Sequence, residues 1–175
     1  TVSNLLSTRD LRDVTESHGQ SYSAASVGEV NVVDMMKATN AVIGGEGNGG
    51  IIYPATHYGR DALAGIGLFL THLAKSGKTC SELRDSYPKY VISKNKIQLT
   101  PEIDVDQVLV SMKEKYAHED VNTIDGVKIN FATEWVHLRK SNTEPIIRIY
   151  AERKSKTNAD ALAEKIITEI KEIIQ

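Results

Sequence analysis

Ala41-Val42-Ile43-Gly44-Gly45-Glu46-Gly47-Asn48-Gly49-Gly50-Ile51-Ile52-Tyr53-Pro54 sets a glycine-rich stretch between two apolar runs. Ala41–Ile43 reads as a buried strand, and Ile51–Tyr53 resumes it. Gly45–Gly50 formally satisfies the dinucleotide fingerprint G-x-G-x-x-G, with a strand before it. A dinucleotide fold also needs a helix to open at the glycines, so that its N-terminus can hold a pyrophosphate. Here the chain continues as strand into Pro54. An acidic residue is expected about 20 residues further on, and Leu68-Phe69-Leu70 stands there instead. The dinucleotide reading is rejected. What remains is one carboxylate, Glu46, and one carboxamide, Asn48, in a glycine frame made by Gly45 and Gly47. Glutamate accepts hydrogen bonds while asparagine donates and accepts, which suits adjacent hydroxyls of a sugar. The plain alternative is a hairpin-like turn with a solvated Glu46.

Upstream, Val2–Leu6 reads as a strand. Ser7 or Thr8 can cap a helix that runs to about His18 and stops at Gly19. Glu29–Lys37 reads as a helix with an apolar side made by Val30, Val33, Met35 and Met36. Downstream, Asp61 can cap a helix over 62–75 with Leu63, Ile66, Leu70 and Leu73 at helical spacing, and Gly77 ends it. Thr79 and Glu82 form a capping box for a short helix before Pro88. Strands alternating with helices make an α/β domain over residues 1–90 with a mixed sheet. Residues 91–100 read as a strand-like hinge or linker.

From residue 101 onward the pattern changes. A helix over 104–116, an Asp125-Gly126 turn, strands near 127–131, 135–138 and 146–151, and a long terminal helix make an α+β domain with an antiparallel sheet. Ala159, Leu162, Ala163, Ile166, Ile167, Ile170 and Ile173 repeat at three and four along the last helix, as a core-facing stripe does. Between the second and third strands lies Arg139-Lys140-Ser141-Asn142-Thr143-Glu144-Pro145, with Arg148 beyond it. Two guanidinium groups, two hydroxyls and several backbone N–H groups in one short arc suit a phosphate. Arginine donates two parallel charge-assisted bonds, and Asn142 tolerates the left-handed geometry of an anion nest. Lys140 alternates with Arg139 and is expected to face away. The plain alternative is a charged hairpin with surface ion pairs, which contribute little.

Composition narrows the partners. Twenty-one Lys and Arg residues oppose 23 Asp and Glu for a net charge of -2, and only 6% of the 175 residues are aromatic. With no basic, aromatic-studded strand face expected, nucleic-acid binding is not supported. No apolar stretch is long enough to span a membrane. The single cysteine, Cys80, allows no internal disulfide and fits a reducing compartment, so a cytoplasmic location is expected. The five histidines are not spaced as metal ligands, and no metal site is expected. Thr1 opens the chain with no secretory apolar region after it, as a piece of a longer protein would.

The two loops together resemble the α-D-phosphohexomutase superfamily of phosphoglucomutases, phosphomannomutases and phosphoglucosamine mutases. Its domain-3 sugar loop reads G-E-x-S-G-[HG], matched by Gly45–Gly50. Its domain-4 phosphate loop reads R-x-S-[GN]-T-[ET]-P followed by Arg, matched by Arg139–Pro145 and Arg148. The resemblance implies a domain-3-like α/β fold followed by a domain 4 of TATA-binding-protein-like topology. It further implies that Glu46 and Asn48 grip sugar hydroxyls, Asn48 standing where serine is more usual. Arg139, Ser141, Asn142, Thr143 and Arg148 would hold the substrate's non-reacting phosphate. Glu29 aligns with a substrate-contacting loop, and His57 and Arg60 lie just beyond the sugar loop.

The family's catalytic phosphoserine segment belongs to domain 1 and its Mg2+ loop to domain 2, and neither motif occurs in this sequence. The resemblance therefore implies the C-terminal recognition part of an enzyme that interconverts hexose 1-phosphate and hexose 6-phosphate through a hexose 1,6-bisphosphate. Its partners would be a phosphorylated hexose and the absent domains 1 and 2 of the same chain. No catalytic residue is expected in this piece, which alone would be inactive. The alternative is a noncatalytic phosphosugar-binding module.

Overall fold

The computed structural model describes residues 1–100, 102–141 and 144–174. The chain divides into two compact units, Thr1–Lys89 and Tyr90–Gln175.

In the first unit β1 (Val2–Asn4), α1 (Asp10–Ser17), β2 (Ser23–Ala25), α2 (Glu29–Thr39) and β3 (Gly44–Glu46) are followed by β4 (Gly50–Tyr53), β5 (His57–Arg60), α3 (Ala62–Ser76) and α4 (Cys80–Asp85). The sheet order is β2-β1-β3-β4-β5. β1 runs parallel to β2 and β3, while β3, β4 and β5 form an antiparallel meander, so the sheet is mixed as expected. Its core is Val2, Ala25, Val32, Met36 and Ile52.

Several local expectations shift. α1 starts at Asp10 with Arg9, not Ser7 or Thr8, at the cap position and no side-chain cap bond; Thr8 Oγ1 accepts from the Asp10 N–H at 3.4 Å, and the Ser7 hydroxyl donates to Asn4 Oδ1. α2 turns Val32 and Met36 inward and leaves Val30 exposed. The strand expected at 41–43 lies one step later, in the glycines themselves, and Val42 is 72% exposed. Sterics explain this. A Cβ at Gly44 would stand 2.4 Å from Met36 Sδ and 2.9 Å from the Val2 carbonyl oxygen, so only glycine lets β3 lie beside β1 against α2. α3 is capped by Asp61, which accepts from the Ala64 N–H at 2.9 Å, and ends at left-handed Gly77. Its expected apolar stripe does not face a core. No residue of α3 is buried, and Leu63, Ile66 and Leu70 are all exposed. The close approach is made by Gly65, where a Cβ would come 2.9 Å from Ile51 Cγ1. The capping box of Thr79 and Glu82 forms as expected at α4.

The second unit comprises β6 (Val91–Gln98), α5 (Val105–Lys115), β7 (Asp120–Asn122), β8 (Val127–Asn130), β9 (Trp135–Lys140), β10 (Ile146–Arg153) and α6 (Lys156–Ile173). The sheet is antiparallel throughout, in the order β6-β10-β9-β8-β7. Asp104 caps α5 and Ser155 caps α6. Both helices bury their stripes on one face of the sheet, with Met112, Leu162, Ile166 and Ile170 in a core with Ile129, Val136, Leu138, Ile147 and Ile149.

Two expectations change here. Residues 91–98 are strand, as expected, but belong to the second unit and are not a linker: β6 pairs with β10 over its whole length and sends Ile97 into the core. The strands also do carry a basic face. Alternation puts Lys94, Lys96, Lys128, Arg139 and Arg148 opposite the helices, together with Trp135, His137 and Tyr150. The basic residues come from four strands far apart in sequence, so no single strand reveals them. Among the described residues no helix is long and apolar enough to cross a membrane.

Candidate functional site

Each unit carries one candidate recognition element. In the first, Glu46 ends β3, half-buried, and its position is set by residues remote in sequence. Oε1 accepts from Asn4 Nδ2 at 2.6 Å and from the Gly28 N–H at 3.3 Å, at the start of α2. Asn4 is itself fixed, since its Oδ1 accepts from the Leu6 N–H and the Ser7 hydroxyl, both at 3.0 Å. Glu46 Oε2 receives no hydrogen bond from the described residues. A carboxylate pinned through one oxygen keeps the other for a ligand hydroxyl, and its orientation costs no further side-chain entropy on binding. Asn4 and Ser7 were missed by sequence reasoning. Their only signal is polarity at the buried end of β1.

A small cavity of about 190 Å³ adjoins Glu46, lined by Ser3, Ser7, Thr8, Leu11 and Gly44–Gly47 among others. It therefore takes in Gly45 and Gly47. Asn48 is placed differently. Its Oδ1 accepts from the Gly50 N–H at 3.0 Å, closing the turn between β3 and β4, and its side chain lines a second, open hollow with Glu29, Gly49, Gly50, Arg60 and Ala62. The structure thus brings Asn48 together with Glu29 and Arg60, not with Glu46. Arg60 Nε bonds Glu29 Oε2 at 2.7 Å. His57 has local work: Nδ1 accepts from the Gly59 N–H at 3.0 Å, and Nε2 lies 3.3 Å from Asp61 Oδ2, the helix cap.

In the second unit the element is built by strand register. Arg139 on β9 stands directly opposite Arg148 on β10. Arg139 Nε donates to Asp125 Oδ1 at 2.9 Å, which fixes the guanidinium side-on. Arg148 is exposed and has no ion-pair partner among the described residues. Lys140 turns to the helix face as alternation requires, bonding Asp106 of α5 at 2.7 Å. Ser141 is buried, its N–H donating to the Ile146 carbonyl at 3.1 Å across the mouth of the loop. Asn142 and Thr143, both expected to bind phosphate, lie outside the described residues.

The Asp125-Gly126 turn that sequence marks as a plain hairpin turn is what positions Arg139. Gly126 has φ +78°, and a Cβ there would come 2.2 Å from the Leu138 carbonyl oxygen and 3.2 Å from Arg139 Cα. His137 holds the same turn from the other side: its Nε2–H donates to the Asp125 carbonyl at 2.5 Å. Burial pushes the His137 pKa down from 6.5 to about 4, outweighing the upward pull of that hydrogen bond. Nearby, Lys128 Nζ lies 4.0 Å from the Trp135 ring centroid, and Trp135 Nε1 donates to fully buried Glu152 at 2.6 Å.

Among the described residues no group of three or more His, Cys, Asp or Glu side chains could hold a metal ion. These residues offer no site for the magnesium that the resemblance places in domain 2.

Comparison with known proteins follows this division. Residues 1–90 match the phosphoglucomutase/phosphomannomutase alpha/beta/alpha domain III, and residues 96–169 match the phosphoglucomutase/phosphomannomutase C-terminal domain. A phosphoglucosamine/phosphogalactosamine mutase of Sulfurisphaera tokodaii is 38% identical over 85% of this chain and 32% of its own length. A phosphoglucomutase/phosphomannomutase of Thermococcus kodakarensis is 36% identical over 90% of this chain and 35% of its own. The chain thus spans about a third of the length of these curated relatives. A crystal structure of a phosphoglucomutase/phosphomannomutase family protein from Burkholderia thailandensis superposes with a TM-score of 0.75 at 22% identity, covering 97% of this chain and 36% of that one. That likeness establishes the fold.

Proposed function

The chain belongs to the phosphoglucomutase/phosphomannomutase family, within the α-D-phosphohexomutase superfamily, and on that premise we propose that it is the C-terminal substrate-recognition part of a cytoplasmic hexose phosphomutase. The proposed reaction interconverts the 1-phosphate and 6-phosphate of glucose, mannose or glucosamine through a bisphosphate. Phosphoryl donor and magnesium would come from domains 1 and 2, so this chain alone would be inactive. Its own residues bind and orient. Glu46 accepts from sugar hydroxyls through Oε2, with Asn48 and the Gly45–Gly47 backbone beside it and Glu29 as a weaker contact. Arg139 and Arg148, with Ser141, Asn142 and Thr143, take the phosphate that does not react. Fixing that phosphate supplies positioning, by which a transfer reaction gains much of its rate.

The observation that carries this reading is the cross-strand pair Arg139–Arg148. Among the described residues Arg139 is bonded to Asp125 through Nε and not through its two terminal nitrogens, which can donate in parallel to an oxyanion. The test is a backbone-amide NMR titration with glucose 1-phosphate and, separately, inorganic phosphate. Shifts at Ser141–Glu144 with both ligands, and at Gly45–Gly50 with the sugar phosphate only, are expected. Arg139→Ala should remove the response to both, and Glu46→Gln should remove only the part that depends on the sugar. Equal loss of the inorganic phosphate response in both variants would break the division of roles.

A further inference from the structure

β6 is the edge strand of the second sheet, and the phosphate loop lies outside it. The register nevertheless places Lys96 directly opposite Arg148, which in turn is directly opposite Arg139. Three cations therefore stand in one row across β6, β10 and β9 on the helix-free face. Among the described residues only Arg139 of the three has an acidic partner, Asp125. Lys96 and Arg148 are both exposed, and neither forms an ion pair among the described residues. The other same-face neighbours that the register gives Lys96 are Lys94, Gln98, Ile146 and Tyr150, and none is a carboxylate. Directly opposed like charges destabilise a sheet, and a bound anion reverses the sign of that interaction. Lysine complements the two arginines, because it adds a compact, mobile positive charge where they add flat forks.

We infer that Lys96 is a third phosphate-binding cation, which extends the subsite from the β9–β10 loop onto the edge strand. This rests on the reading of Arg139 and Arg148 given above and deepens it. The ligand class is the phosphate monoester dianion, which dominates above a second pKa of about 6, and a third cation favours it over the monoanion.

The experiment is an amide NMR titration of the whole chain with inorganic phosphate at neutral pH, followed at Ser141 and Arg148. Lys96→Gln should weaken binding about tenfold, the worth of one charge-assisted hydrogen bond. Lys96→Arg should restore most of it. Lys140→Gln removes the same charge from the opposite face and should leave binding unchanged. Equal weakening by Lys96→Gln and Lys140→Gln would reduce the effect to net charge and overturn the inference. Normal binding by Lys96→Gln alongside lost binding by Arg139→Ala would also overturn it, leaving Lys96 as a guard of the sheet edge. Undiminished binding by Arg139→Ala would overturn the phosphate subsite itself.

Discussion

α3 and α6 read alike in sequence, as helices with apolar residues at three- and four-residue spacing, yet they end in opposite environments. α6 buries Ala159, Leu162, Ala163, Ile166, Ile167 and Ile170 against the second sheet, whereas no residue of α3 is fully buried and only Ala64, Gly65, Leu73 and Ser76 are half-buried. Periodicity shows that a helix has an apolar side, but not that the side is covered. α6 has polar residues on its remaining faces, so only one orientation buries its apolar area. α3 is apolar almost all round, and the small Gly65 wins the close approach to Ile51. Its large side chains are left outward. The two candidate recognition elements differ in a parallel way: Arg139 is positioned by register and a neighbouring turn, Glu46 by a partner 42 residues away.

The largest expected effect tests the covered helix. Ile166 is fully buried in the core. Ile166→Ala should destabilise the second unit by about 2–5 kcal/mol, the transfer and cavity terms together. Urea denaturation followed by the fluorescence of Trp135, the chain's single tryptophan, reads that unit directly. A loss below 1 kcal/mol on the same scale would mean that α6 is no better anchored than α3.

Next comes the polar anchor. Among the described residues, Asn4→Ala leaves Glu46 Oε1 with the longer bond from Gly28, at 3.3 Å. The expected cost is about 1–3 kcal/mol, the penalty for stranding a partly buried acceptor. Amide hydrogen exchange at β1 and β3 should quicken, while β8–β10 should keep wild-type protection. Unchanged exchange at Gly44–Glu46 would show that the Asn4 bond does not hold the strand end.

A third test separates the two units by pH. His137 is held neutral in the folded state, its pKa lowered from 6.5 to about 4 mainly by burial. The unfolded chain binds that proton first. The stability it contributes is therefore complete above pH 6.5 and is lost as pH falls toward 4, with a slope of up to about 1.4 kcal/mol per pH unit. Melting followed at Trp135 should show this decline, and His137→Gln, which can still donate to the Asp125 carbonyl, should flatten it. Parallel curves for the two proteins would rule out a neutral buried His137.

How much was legible in the sequence follows from where each signal resides. The caps at Asp61 and Thr79 are local, set by a side chain reaching a backbone N–H within three residues, and both form. Arg139 and Arg148 were legible as part of a compact motif, and strand alternation correctly sent Lys140 to the other face. The Asn4–Glu46 bond and the row Lys96–Arg148–Arg139 were not, because each depends on pairings between distant segments that only the folded sheet defines. β5 and β7 were missed for a related reason, being only four and three residues long with no clear alternation.

The smallest expected effect is the sharpest check on the contrast between α3 and α6. Leu63 is 81% exposed on α3. Leu63→Gln keeps a good helix former and removes an apolar side chain that touches little, so the change in stability should stay within about 0.5 kcal/mol. The control is Leu162→Gln on α6, which buries an amide without partners and should cost several times more. If Leu63→Gln instead loosens α3, seen as faster amide exchange over 66–76, the outward leucine contributes to a packed face and the contrast between the helices fails. If exchange is unchanged, α3 is held by Asp61, Gly65 and Gly77, and its apolar surface adds nothing to the stability of this unit.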